Sequence, residues 1–91
     1  MITLETWVSK PVTTQHVQFT GFARSGNGFE LLAWLEDQGV HAVGEGDEIH
    51  LDTRERSDAV CRRGDWIVVG TRGEVYPVRA EVHADKYARV R

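Results

Sequence analysis

The stretch NGFELLAWLEDQG, residues 27–39, constrains the fold most, because it carries a full set of helix signals in a chain otherwise cut into short runs. Asn27 stands at a capping position, Glu30 follows three residues later as a capping box requires, and Gly39 suits the left-handed residue that closes a helix. Leu31, Leu32 and Leu35, widened by Phe29 and Trp34, form one apolar stripe, so this helix must bury a single face. The segments around it read as the strands of a sheet that would cover that face. PVTTQHVQFTG is rich in β-branched residues, with Val17 and Phe19 toward one side, His16 and Gln18 toward the other, and Pro11 at its start, where a missing N–H is tolerated. The loop FARSGNG feeds the helix. After Gly39, VHAV and EIHLDT are strands joined by the turn GEGD, and SDAVC adds another. DWIVVG is a continuous apolar run of the kind covered on both faces; EVYPV returns antiparallel after TRG, and Pro77 places it at an edge. RAEVHADKYARV reads as a short C-terminal helix with Val82, Tyr87 and Val90 inward, whereas the first ten residues show no clear period.

These elements predict an α+β fold over a single domain, residues 1–91: a small, mostly antiparallel sheet with one amphipathic helix on a face and a short C-terminal helix. Its open edges favour self-association, so a homo-oligomer is expected. With 41% hydrophobic and 27% charged residues the composition is that of a soluble globular protein, and no apolar run approaches the ~20 residues that span a bilayer. MITLETWVSKP has neither a basic nor a long apolar signal region, which predicts a cytosolic protein without membrane contact. The single cysteine, Cys61, has no internal disulfide partner and reads as a small apolar filler.

The net charge of −3 argues against general DNA binding. Its distribution is uneven: residues up to Thr53 carry two cations and eight acids, those from Arg54 onward nine cations and six acids. The C-terminal part could receive an anionic partner, or the two halves could simply attract each other. His16, His41, His50 and His83 show no paired ligand spacing, which predicts no metal site. No nucleophile signature surrounds Ser25, Ser57 or Cys61, and adjacent acids such as Glu36-Asp37 point apart, so a non-enzymatic protein without cofactor is expected. The glycines of SGNG serve a turn. Arg63-Gly64-Asp65 reads the same way, with Gly64 supplying the dihedral and Asp65 bonding nearby backbone.

The hairpin is the one stretch that suggests a contact surface. Gly70 and Gly73 bracket Thr71 and Arg72 at its tip, Trp66 and Tyr76 lie on its arms, and Arg62 and Arg63 precede it. Arginine and aromatic side chains together hold planar anions by stacking and charge-assisted bonding, and they also anchor protein interfaces. The competing reading puts Trp66 and Tyr76 in the core and leaves Arg72 solvated. The candidate ligand contacts are Arg72, Tyr76, Trp66, Arg62 and Arg63, with Lys10 and Gln18 from the N-terminal part.

Lys10-Pro11-Val12 with VQFTG at 17–21, and GDWIVVGTRGEVYPVRAEVHADKY at 64–87, resemble a family of small bacteriophage and prophage proteins with no established activity. The shared motif is carried by Gly64, Asp65, Ile67, Gly70, Gly73, Glu74, Tyr76, Pro77 and Tyr87, and the middle of the chain is not diagnostic. The chain departs from the family pattern at Trp66 (Tyr), Val75 (Phe), Val78 (Cys) and Arg79-Ala80-Glu81 (Lys-Pro-Asp). The resemblance implies a phage accessory protein acting in the host cytoplasm, and small phage proteins without an enzymatic motif commonly counter host defence by binding; the basic C-terminal half and the aromatic–Arg pairings make a nucleotide-type immune signal the foremost ligand of an oligomeric binder. The alternatives are a protein-directed inhibitor of a host defence complex, anti-CRISPR-like or mimicking nucleic acid with Glu30, Glu36, Asp37, Glu45, Asp47 and Glu48, and a minor virion or DNA-metabolism component.

Overall fold

A computed structural model describes residues 1–9, 12–53 and 57–89, in which ten elements follow one another. They are β1 (Glu5–Ser9), β2 (Val12–Gln18), α1 (Gly28–Asp37), β3 (Ala42–Glu45), β4 (Glu48–Leu51), β5 (Ala59–Arg62), β6 (Trp66–Val69), β7 (Val75–Val78), α2 (Ala80–Lys86) and β8 (Ala88–Arg89). The fold is the expected α+β, but its strands divide into two antiparallel sheets, ordered β7-β6-β2-β1-β8 and β3-β4-β5. Alternation explains the division. Ile49 and Leu51 on β4 and Ala59 and Cys61 on β5 are buried while their neighbours are not, so the smaller sheet has one apolar face to cover.

That face, the helix and the larger sheet share one core: Leu31 and Leu35 of α1, Ile49, Leu51, Ala59 and Cys61 of the small sheet, and Val17, Phe19, Ile67 and Val75 against them. Burial pushes the Cys61 thiol up to about 12, so it packs as a neutral apolar group. β6 is covered on both faces, with Trp66, Ile67 and Val68 all buried, and β7 with Pro77 is an edge strand, both as the sequence predicts.

The helix ends as expected and begins differently. Gly39, at φ +79°, closes α1 in a Schellman arrangement: its N–H donates to Glu36 O at 2.9 Å and the Val40 N–H to Leu35 O at 3.0 Å. At the start, the Asn27 side chain makes no cap bond. Its Oδ1 instead accepts from the Thr20 N–H at 2.9 Å and hydroxyl at 3.1 Å, and its Nδ2 donates to Gln18 O at 2.7 Å. Glu30 pairs with the Met1 amine rather than closing a capping box. The loop between β2 and α1 folds back on its own strand, and Asn27 is used to pin it.

α2 also corrects the sequence reading. Val82, expected inward, is 41% exposed, and the buried residue of this helix is His83. Tyr87 is half-buried, and Val90 lies outside the described residues. No helix among the described residues is long and apolar enough to cross a membrane.

Candidate functional site

The turn between β5 and β6 organises the neighbourhood of the hairpin. Gly64, at φ +96°, reverses the chain, and the buried carboxylate of Asp65 then faces two backbone donors from different elements. Its Oδ2 accepts the Arg62 N–H and its Oδ1 the Ala80 N–H, both at 3.0 Å. Gln18 Nε2 donates to Gly64 O at 2.9 Å, tying β2 to the same turn. One carboxylate thus fixes the end of β5 and the start of α2, the segments that carry Arg62 and Arg79.

Between them lies a cleft of ≈ 300 Å³ lined by Val60 and Arg62 of β5, Pro77 of β7 and Arg79. It forms where an edge of the small sheet comes against an edge of the large one. The two guanidiniums have only weak partners. Arg62 Nε donates to Glu48 Oε2 at 3.2 Å and Arg79 Nη1 stands 3.9 Å from Glu81 Oε1, with both arginines more than half exposed. Exposed pairs of this kind contribute ~0–1 kcal/mol, so a phosphate offering bidentate acceptors competes well for either arginine.

The other candidate contacts scatter. Trp66 is 9% exposed and belongs to an aromatic cluster under α2. Tyr76 pairs in register with Val68 and, next to Pro77 on the strand, faces away from the cleft, toward the side that carries Trp66. Arg63 Nε stands 3.3 Å from Asp47 Oδ2. Arg72 is exposed at the β6–β7 turn, at the opposite end of the hairpin from the Trp66–Val78 pair. Gln18 serves the Gly64 turn, and Lys10 lies outside the described residues. Of the six that are described, only Arg62 lines the cleft; Arg79, Val60 and Pro77, which line it with Arg62, carry no local signal that would select them.

The aromatic cluster occupies the other face of the large sheet. His83 of α2 stacks on Trp66 with centroids 4.0 Å apart and planes within 4°. Trp7 meets His83 edge-on at 4.5 Å, and the Tyr87 ring reaches His16 at 4.6 Å and His83 at 5.1 Å. His16 Nδ1 lies 2.6 Å from His83 Nε2, and Thr14 Oγ1 lies 2.5 Å from His16 Nε2. His16, on the side of β2 opposite Val17 and Phe19, is fully buried, because α2 returns 67 residues later to cover it. Burial, reinforced by the neighbouring His83, lowers the His16 pKa to about 4, and burial lowers that of His83.

His50 behaves oppositely on the outer face of the small sheet. Its Nδ1 is 3.3 Å from Asp58 Oδ1 and its Nε2 is 3.1 Å from Glu48 Oε1 and 3.9 Å from Glu45 Oε2. The Asp58 bond foremost, then Glu48 and the charge of Glu45, hold its pKa above the ordinary value. Among the described residues no group of three or more His, Cys, Asp or Glu is placed to hold a metal ion. The chain matches no protein-family model, no curated protein and no solved structure.

Proposed function

We propose that this chain is a non-enzymatic binding protein that takes a small phosphate-bearing anion in the cleft between β5 and β7. The carrying observation is the pair of lightly engaged arginines, Arg62 and Arg79, presented across one cleft by a single buried carboxylate, Asp65. Val60 and Pro77 offer apolar contact for the body of the ligand. Guanidinium groups stay protonated at any physiological pH, and these four residues supply charge and contact but no group suited to proton transfer, which supports binding over turnover. The resemblance to phage proteins suggests host defence as the setting, and the arginine-lined cleft suggests a nucleotide-derived signal as the ligand to be sequestered. The phosphate-mimic alternative has less support, because four of its six acids have a cationic neighbour: Glu48 pairs with Arg62 and His50, Asp47 with Arg63, Glu45 with His50 and Glu30 with the Met1 amine, which leaves Glu36 and Asp37 of α1 to present charge.

Calorimetry against ADP-ribose and a panel of cyclic oligonucleotides is the test. At least one ligand should bind with micromolar or tighter affinity, and Arg62→Ala and Arg79→Ala should each weaken it tenfold or more. No heat across the panel would overturn the reading.

A further inference from the structure

We propose that the His16–His83 contact is a proton-operated latch: it holds α2 against the five-stranded sheet and releases it on acidification while the aliphatic core stays folded. The helix is short, Ala80–Lys86, and His83 is its buried residue. Between its two backbone tethers, the Ala80 N–H on Asp65 and β8 paired with β1 just beyond Tyr87, its attachment to the sheet centres on one imidazole that stacks on Trp66 and bonds His16. Core residues such as Leu35, Ile49, Leu51 and Ile67 lie in a separate cluster that contains none of these rings.

The hydrogen-bond inventory fixes how protons act. In the neutral pair one ring nitrogen donates and the other accepts across the 2.6 Å contact. A first proton leaves that bond possible, with Thr14 Oγ1 able to accept from His16 Nε2, but places a charge in a buried aromatic box. A second proton points two N–H bonds at each other and breaks the contact. The titratable groups facing the pair do not relieve it alike. Glu5 lies opposite His16 on β1 and would favour a cation; the other titratable groups facing the pair are Tyr76, in the same cross-strand row beyond Val68 of β6, and Tyr87, packed on both rings. α2 itself carries Glu81, Asp85 and Lys86, all exposed to solvent.

The sign follows from where protons bind. Above the ordinary histidine value of 6.5 both rings are neutral whether α2 is docked or free, so pH does not act on the latch. As pH falls from 6.5 toward about 4, free α2 takes up protons that the docked form refuses, and opening becomes easier by about tenfold per pH unit for each proton, up to about a hundredfold for two.

Native-state hydrogen exchange between pH 7.5 and 4.5, corrected for intrinsic rates, reads this directly. The His83 and Tyr87 amides, bonded to Arg79 O and His83 O, should lose protection by ten- to a hundredfold per pH unit below 6.5, while the β4–β5 ladder keeps its own. Protection of α2 that persists to pH 4.5, or that falls together with the β4–β5 ladder, would overturn the latch. His83→Phe keeps a ring on Trp66 without the proton site, and its α2 amides should respond with a slope of one proton or less; an unchanged two-proton slope would count against the pair. If that variant fails to dock α2 at pH 7.5, ¹⁵N shifts of the wild-type imidazoles decide. Both rings must become charged over the range in which the α2 amides open, and charging without opening contradicts the proposal.

Discussion

The two faces of the five-stranded sheet are closed by different chemistry. One carries Val17, Phe19, Ile67 and Val75, and meets the leucines of α1 and the inner face of the smaller sheet. The other carries Trp7, Thr14, His16 and Trp66, closed by His83 and Tyr87. Burial of the first face depends on area alone, which no change of pH alters. Burial of the second depends on ring stacking and on a short chain of hydrogen bonds that must keep its proton count. A sheet covered this way has one face that responds only to temperature and denaturant and another that also responds to acid.

The largest expected effect breaks the aliphatic side. Phe19 is fully buried, and Phe19→Ala should cost about 4 kcal/mol, a large share of what a chain of this size has, with the same loss at pH 7.5 and 5 in urea unfolding. Asp65→Ala should cost about 2–3 kcal/mol, because the Arg62 and Ala80 N–H groups lose their common acceptor, and it should abolish anion binding by freeing both walls of the cleft. On the aromatic side, wild-type stability should fall by at least about 2 kcal/mol between pH 6.5 and 4.5, as histidines held below their ordinary value accept protons only on opening. A flat profile over that interval would erase the distinction between the faces. Arg62→Ala should sit at the small end, changing stability by no more than about 0.5 kcal/mol while weakening the ligand, because its ion pair is exposed. Arg72→Ala, at the far hairpin tip, should leave stability and affinity unchanged.

How legible each part was depends on how local its cause is. The period of α1, its closing Gly39, the apolar run of β6 and the edge position of Pro77 are each set by a few consecutive residues, and the structure has them. The start of α1 misled, since Asn27 suits a cap but finds better acceptors and donors at Thr20 and Gln18 once the loop folds back. The aromatic cluster was hidden for a deeper reason. Alternating Thr14, His16 and Gln18 look like an outward polar face, and only α2, distant in sequence, turns that face into an interior. The cleft was half visible: Arg62 stood out beside the Gly64 turn, whereas Arg79 joins it only because edges of two separate sheets meet.

The measurement that bears most directly on the functional account is titration of ¹⁵N-labelled protein with ADP-ribose, followed amide by amide at pH 7.5, where the histidine pair is neutral. Saturable shifts are expected, centred on Val60, Arg62 and Arg79 and abolished in Arg79→Ala, with the amides around Trp66 and His83 unmoved. Shifts centred on Trp66 and His83, or the absence of any saturable shift, would contradict it.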